Sequence, residues 1–350
     1  MLPMSQFRLL GRYAMIRDEL WLASSLCEVG FLLRGATTLT LRLRADGSVS
    51  DPEREHRTPR YALRVGGRLF RDARMAQPEE VLSVPAAWLE GEAEIRLIKL
   101  SECTQSLLAL TEVRTDGFLF PLPARPRRIR FIGDSITCGY GVEAPDGSSS
   151  FSTATENAEK SYAALVADAL DMDRELIAFS GHGIVSGFTD DPARRNLREL
   201  VPPYYDRVGR GDDPLPDGRY PQDIPWDMDS HSPDQIILNL GTNDLSWCRE
   251  DPDRIALFER EYAAFLKVIR QHSPGTPVLC VLGIMGTGLN EAVARAVEAY
   301  RAATGDALIR TLLLPEQDQE RDGCGADFHP SEITQRRLAQ RILDALSAAP

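Results

Sequence analysis

Two rhythms of apolar and polar residues divide the chain. Up to about Phe120, short runs alternate strictly, as in Thr38-Leu39-Thr40-Leu41-Arg42-Leu43-Arg44, Tyr61-Ala62-Leu63-Arg64-Val65 and Ala93-Glu94-Ile95-Arg96-Leu97-Ile98-Lys99-Leu100. A period of two puts one side of each run in a core and the other in water, which predicts half-buried antiparallel strands. Asp46-Gly47 and Gly66-Gly67 have the composition of hairpin turns. Residues 1–120 therefore read as a β-sandwich of jelly-roll type. Pro121, Pro123 and Pro126 stiffen a linker over residues 121–128.

From residue 129 the rhythm changes to strand-like and helix-like segments in alternation, the mark of parallel βα units. Strands are expected near Ile129–Ile132, Leu176–Phe179, Gln235–Leu240, Val278–Leu282 and Leu308–Leu314. A helix over Ala158–Leu170 lines up Tyr162, Leu165, Val166, Ala169 and Leu170, with Asn157 as its cap. A second, over Pro252–Arg270, lines up Ile255, Phe258, Tyr262, Phe265, Leu266 and Ile269, and Pro252 suits its first turn. The last opens near Pro330-Ser331. The expected class is α/β: a five-stranded parallel sheet between helix layers, a three-layer α/β/α domain over residues 129–350.

Two long polar stretches interrupt the scheme, 139–156 and 202–233, and loops of this length usually carry function or lack order. The second holds Tyr204, Tyr205 and Trp226. Aromatic faces on loops stack on sugar rings, or else pin the loop to its domain. Trp226 is the foremost substrate-binding candidate, followed by Phe328, Tyr204 and Tyr205. Trp21 and Trp88 fall in the sandwich and are expected in its core.

A length of 350 residues with 43% hydrophobic content suits two packed domains. The net charge of −12 argues against nucleic acid or an anionic membrane as partner, since both need a basic face. Cys27, Cys103, Cys138, Cys248, Cys280 and Cys324 lack zinc-clasping spacing and read as free thiols. Cys138 either packs or lines a site beside Ser135. Over Met1 to Leu22, Arg8, Arg12, Arg17, Asp18 and Glu19 break any signal-peptide core, so a cytoplasmic protein is the simplest expectation. Self-association is left open.

Candidate chemistry begins at Arg130-Phe131-Ile132-Gly133-Asp134-Ser135-Ile136-Thr137, where a hydroxyl follows an apolar strand, the place where α/β sheets hold their chemistry. Taken alone, the tripeptide Gly133-Asp134-Ser135 is equally a capped turn. Its weight comes from three later segments. Ala178-Phe179-Ser180-Gly181-His182-Gly183 brings a backbone N–H near a reacting oxygen with no Cβ in the way. Leu238-Asn239-Leu240-Gly241-Thr242-Asn243-Asp244 presents a carboxamide at a strand end. Gly325-Ala326-Asp327-Phe328-His329-Pro330-Ser331 sets a histidine at the mouth of the final helix. Ser135 is the candidate nucleophile and His329 the candidate base; His182 rivals it on spacing alone. His56, His231 and His272 lie in polar, loop-like contexts.

Together the four segments resemble the sequence blocks of the SGNH (GDSL-type) hydrolases, with Ser135, Gly181, Asn243 and His329 at the four defining positions. The resemblance implies a serine esterase on a flavodoxin-like sheet, with an oxyanion hole of Ser135, Gly181 and Asn243 and no metal or organic cofactor. A finer likeness, in Gly133-Asp134-Ser135-Ile136-Thr137-Cys138-Gly139-Tyr140-Gly141, Glu159-Lys160-Ser161-Tyr162 and Asp327-Phe328-His329-Pro330, is to carbohydrate esterase family 2. That likeness implies a sandwich ahead of the hydrolase domain and an acetylated oligosaccharide, derived from xylan or mannan, as substrate. One position departs from the pattern: three residues before the histidine stands Ala326, and the nearest carboxylate is Asp327. Either Asp327 completes a triad through a different turn, or a backbone carbonyl orients the ring and leaves a dyad. Two other readings stand beside this one, an acyl hydrolase of lysophospholipase or thioesterase type and an inactive carbohydrate-binding protein.

Overall fold

The computed structural model describes residues 2–348; Met1, Ala349 and Pro350, the outermost residues of the two expected domains, lie outside the described residues. Strands run through the chain up to Pro121: β1 (Arg8–Leu10), β2 (Tyr13–Ile16), β3 (Glu19–Leu22), β4 (Glu28–Arg34), β5 (Leu39–Ala45), β6 (Arg60–Val65), β7 (Arg68–Arg74), β8 (Glu79–Val84), β9 (Glu92–Lys99), β10 (Leu108–Thr115) and β11 (Phe118–Pro121). They form two antiparallel sheets, ordered β1-β4-β9-β6-β7 with β11 on β4, and β2-β3-β10-β5-β8. In β5 the alternation is complete, Leu39, Leu41, Leu43 and Ala45 facing in. These side chains meet Phe31, Ile95 and Leu97 of the other sheet in one apolar core, so the two sheets make a sandwich.

Gly66-Gly67 turns β6 into β7 as expected, both residues at positive φ (58° and 75°). Asp46-Gly47 does not make a hairpin. The Asp46 carboxylate instead caps a short 3₁₀ turn over Gly47–Ser50, and β5 and β6 on either side of it belong to different sheets. An Asx cap and a hairpin turn share one composition, and only strand pairing separates them.

The second region carries β12 (Arg127–Gly133), α1 (Ser135–Cys138), α2 (Tyr162–Ala169), β13 (Met172–Ala178), β14 (Gln235–Asn239), α3 (Thr242–Cys248), α4 (Pro252–His272), β15 (Val278–Leu282), α5 (Asn290–Thr304), β16 (Ile309–Leu313), α6 (Gln319–Asp322) and α7 (Glu332–Ser347). Its five strands are all parallel in the order β13-β12-β14-β15-β16. That is the 2-1-3-4-5 winding of flavodoxin-like sheets, in which sites form beyond the carboxyl ends of the strands. Along β12, Ile129 and Phe131 pack with Tyr162 and Val166 of α2 and Leu338 and Ile342 of α7, while Ile132 faces Phe258 and Phe265 of α4 and Val293 of α5. Three layers result.

Asn157 caps a 3₁₀ turn over Ala158–Lys160, and the helix proper restarts at Tyr162 under Ser161. Helix α5 went unread in the sequence because Leu289 at its start offers no capping side chain, and its inner stripe of Ala292, Val293, Ala296 and Val297 is made of small residues.

The loop over 202–233 fills the space between the two regions. Its Tyr205, Val208, Trp226 and Met228 join one apolar cluster with Ala14, Trp21 and Ala23 of the sandwich. Arginines cross the same seam. Arg12, from the turn between β1 and β2, and Arg130 of β12 both bind Glu175 of β13, at 2.7 and 2.8 Å, and Arg8 pairs with Asp173.

Candidate active site

Strand β12 ends at Gly133, where a Cβ would stand 2.0 Å from Thr137 Oγ1, so only glycine lets the chain fold back at once into α1. Asp134 caps that turn, its Oδ1 accepting from Ile136 N–H at 3.0 Å, and leaves Ser135 at the helix start. Opposite it, Asp327 and Phe328 hold positive φ (49° and 59°), a costly backbone for residues with side chains. This kink delivers His329, whose Nε2 lies 2.8 Å from Ser135 Oγ.

The other imidazole nitrogen decides the protonation. His329 Nδ1 lies 3.1 Å from the carbonyl of Ala326, which can only accept, so the proton sits on Nδ1 and Nε2 is a bare acceptor for the serine hydroxyl. Burial lowers the His329 pKa below its ordinary 6.5, outweighing the neighbouring Ala326 carbonyl and Asp327. The ring is neutral at physiological pH.

Asp327 does not complete a triad. Its Oδ2 accepts from the hydroxyl of Tyr140 at 2.8 Å, and the Tyr140 ring lies against the imidazole, centroids 4.2 Å apart, with Phe151 stacked on its far side at 4.1 Å. The left-handed turn at Asp327 swings its carboxylate away from Nδ1 and brings the Ala326 carbonyl there instead. Of the two arrangements the sequence left open, the geometry matches the dyad oriented by a backbone carbonyl.

Gly181 follows β13 at φ 77°. Neither its N–H nor that of Ser135 donates to another group among the described residues. Asn243, near the start of α3, donates through Nδ2 to the carbonyl of His182 at 2.9 Å and more weakly to Asp134 Oδ2 at 3.4 Å. Next to it, the buried Asp244 carboxylate gathers the N–H groups of Ile184, Val185 and Ser186 at 2.6–3.0 Å, tying the Gly181 loop to α3. Burial raises the pKa of Asp134 to about 7 and of Asp244 to about 6.

Ser135, Gly181, Asn243 and His329 line one cavity of about 580 Å³, walled by Phe188 and Met285 among others. A family model described as GDSL-like lipase/acylhydrolase matches residues 131–337. The chain belongs to the GDSL-like (SGNH) hydrolases. Cellulase/esterase CelE of Acetivibrio thermocellus is 32% identical over 269 residues, 72% of this chain but 30% of CelE, so this SGNH chain spans under a third of that relative. An acetylxylan esterase / glucomannan deacetylase of Cellvibrio japonicus is 30% identical over 73% of this chain and 67% of its own length. In fold, a family two carbohydrate esterase from Clostridium thermocellum, solved with cellohexaose, superposes with TM-score 0.81 at 24% identity over 97% of this chain and 98% of that one. The sequence relatives are thus named as carbohydrate-active esterases, and the chain shares the fold of a family two carbohydrate esterase, the group to which the finer motif likeness pointed.

The aromatic expectations are corrected. Trp226 is buried in a T-shaped pair with Tyr13 and lies against His231, ring centroids 4.4 Å apart, and Tyr205 is buried against Phe265, where it accepts from Arg130. Tyr204 is half-buried on Phe179 and His182. Covering the domain seam buries more apolar area than stacking in solvent, so the loop turned these rings inward. Phe328 is exposed but lines a neighbouring cavity with Met285 and Gln317. His182 is buried, its Nδ1 against the carbonyl of Ser180 at 2.9 Å, and Cys138 is buried beneath the site; neither lines the cavity. Sequence reasoning missed Tyr140, although it sits inside a quoted motif, and Phe188, a lone aromatic in a polar loop with no periodicity to flag it.

Proposed function

We propose that the chain is a serine esterase that removes acetyl groups from acetylated oligosaccharides derived from xylan or mannan. The observation that carries this reading is the 2.8 Å approach of His329 Nε2 to Ser135 Oγ, with the imidazole proton committed to Ala326. In this mechanism His329 takes the proton of Ser135 as Oγ attacks the acetyl carbonyl. The oxyanion is held by the unspent N–H groups of Ser135 and Gly181 and by the Asn243 hydrogen that only Asp134 engages, weakly. Each such donor is worth about 3 kcal/mol in barrier. The imidazolium then protonates the departing sugar oxygen, and water repeats the sequence on the acetyl-enzyme. Kinship with an acetylxylan esterase / glucomannan deacetylase, and the cellohexaose bound to a protein of the same fold, support a sugar ester as substrate. Phe188, 53% exposed at the cavity wall, takes over the sugar-stacking role first expected of Trp226.

Hydrolysis of 4-nitrophenyl acetate by the wild type, cut by at least about 10³-fold in Ser135→Ala, tests the chemistry. Product analysis on acetylated xylo- and manno-oligosaccharides tests the substrate. A second reading, esters of longer acyl groups, is favoured by one observation: Phe188, Leu245 and Met285 give the cavity an apolar wall. A chain-length series from acetate to octanoate separates the two, turnover falling with length if acetyl is the substrate.

A further inference from the structure

Glu102 belongs to the sandwich, on the turn just after β9, yet its side chain is completely buried against the hydrolase domain. Its Oε2 accepts from the N–H of Ser180 at 2.8 Å and from the thiol of Cys138 at 3.7 Å. Oε1 accepts from Gln105 at 3.1 Å, which fixes the rotation of the carboxylate. The turn itself is held on both sides. Lys99 Nζ donates to the carbonyls of Ser101 and Glu102 at 2.6 and 3.1 Å, and the Glu102 N–H donates to Glu156 Oε1 at 3.1 Å.

The two groups collected by Oε2 stand at the two ends of the site. Cys138 closes the helix that Ser135 opens, and Ser180 directly precedes Gly181. We propose that Glu102 is a positioning residue: one carboxylate oxygen, supplied by the sandwich, sets the spacing between the nucleophile-bearing turn and the Gly181 N–H. The inference rests on the esterase reading above, in which Gly181 donates to the oxyanion. A single oxygen that accepts from both segments at once suits a spacing device. A reacting geometry displaced by about 1 Å loses roughly 10² in rate, so the device acts on turnover rather than on ground-state binding. It also gives the sandwich a part in the chemistry without contact to the substrate.

The test is kcat and KM for 4-nitrophenyl acetate, with melting temperature, in wild type, Ser135→Ala, Glu102→Ala, Glu102→Gln and Glu102→Asp. Glu102→Ala is expected to lower kcat about 10²-fold with KM changed less than about threefold. Glu102→Gln, whose carbonyl oxygen still accepts, is expected to recover kcat to within about fivefold of wild type, and a further variant of like length without an acceptor, Glu102→Met, is expected to stay near the Glu102→Ala value, which a merely space-filling role would not predict. A folded Glu102→Ala enzyme with wild-type kcat overturns the proposal. Should Glu102→Ala fail to fold, Glu102→Asp decides: a kcat loss of about tenfold or more at unchanged KM upholds it, because the shorter arm pulls the acceptor away from Ser180, and wild-type kcat overturns it. The same assay separates the two claims. Wild-type turnover lost in Ser135→Ala upholds the esterase reading whatever Glu102 does, whereas a wild type without turnover overturns both.

Discussion

The interior of the sandwich and the seam between the two domains are both closed to water, yet they are built from opposite chemistry. Between the sandwich sheets sit Phe31, Leu41, Leu43, Ile95 and Leu97, with no charge among them. Across the seam lie Arg12, Arg130, Glu175, Lys99 and Glu102, all essentially without solvent exposure, beside the apolar patch around Trp226. An apolar core tolerates small slips, because dispersion and burial have little direction. Buried charges do not, since each must meet its partner or stand desolvated and unpaired. The sandwich interior therefore supplies stability, and the seam supplies a defined placement of one domain on the other. Of the two, the seam reaches the turns that carry Ser135 and Gly181.

That contrast can be broken at several points. The largest effect is expected at Glu175: Glu175→Ala strands two buried guanidinium groups and should cost about 3–5 kcal/mol in urea unfolding, with esterase turnover falling in the folded fraction as well. Turnover unchanged in that fraction would show that the ion pairs do not align the site. Burial pushes the Glu175 carboxyl up, but Arg130 and Arg12 pull it down to about 2. A depressed carboxylate stabilises the fold above its unfolded value of 4.5 and loses that contribution as pH falls toward 2. Acid unfolding of the wild type should accordingly be steep below pH 4.5, and less steep in Glu175→Gln.

Leu97→Ala, in the sandwich core, should cost about 3 kcal/mol through the cavity it leaves, while kcat of the folded enzyme stays at the wild-type value. A fall in kcat equal to that of Glu175→Ala would erase the distinction between the two interiors.

Smaller effects sharpen the picture at the site itself. Because burial lowers the His329 pKa, its neutral, basic form persists below pH 6.5. The acid limb of the kcat/KM profile should therefore have its inflection below 6.5, lower than an exposed imidazole would give. An inflection above 6.5 would contradict the assignment of His329 as base. Last, Asp327→Ala should cost only a few-fold in kcat and, by removing a nearby negative charge, move that inflection lower. Loss of an orienting triad acid costs about 10⁴ in a serine protease. A loss of that size would mean that Asp327, through Tyr140, governs the imidazole after all.

How much could be read in advance varied from place to place. The strand Val278–Leu282 and the start of the long helix at Pro252 were legible to the residue, because each is a strong periodic run with sharp ends. Gly181 and Asn243 were found through glycine-marked strand ends, which local sequence displays. Helix α5 was not, for want of a cap, and Asp46-Gly47 was misread because its composition suits two turns. Phe188 and Glu102 carried no local signal whatever: each matters only through what a distant segment brings beside it.

From its own order of residues the chain determined two regions of different rhythm, a parallel sheet with its candidate site beyond the strand ends, and the four residues that meet in one cavity there. These follow from local periodicity and from backbone conformations that few residues adopt. Only the folded molecule decided that Ala326, and not Asp327, holds the imidazole, that Trp226 and Tyr205 serve the seam and not the cavity, and that a sandwich carboxylate grips the Gly181 loop. Those outcomes depend on contacts between segments far apart in sequence, and on which of several partners gains most by leaving water, a competition that no single stretch of the chain records.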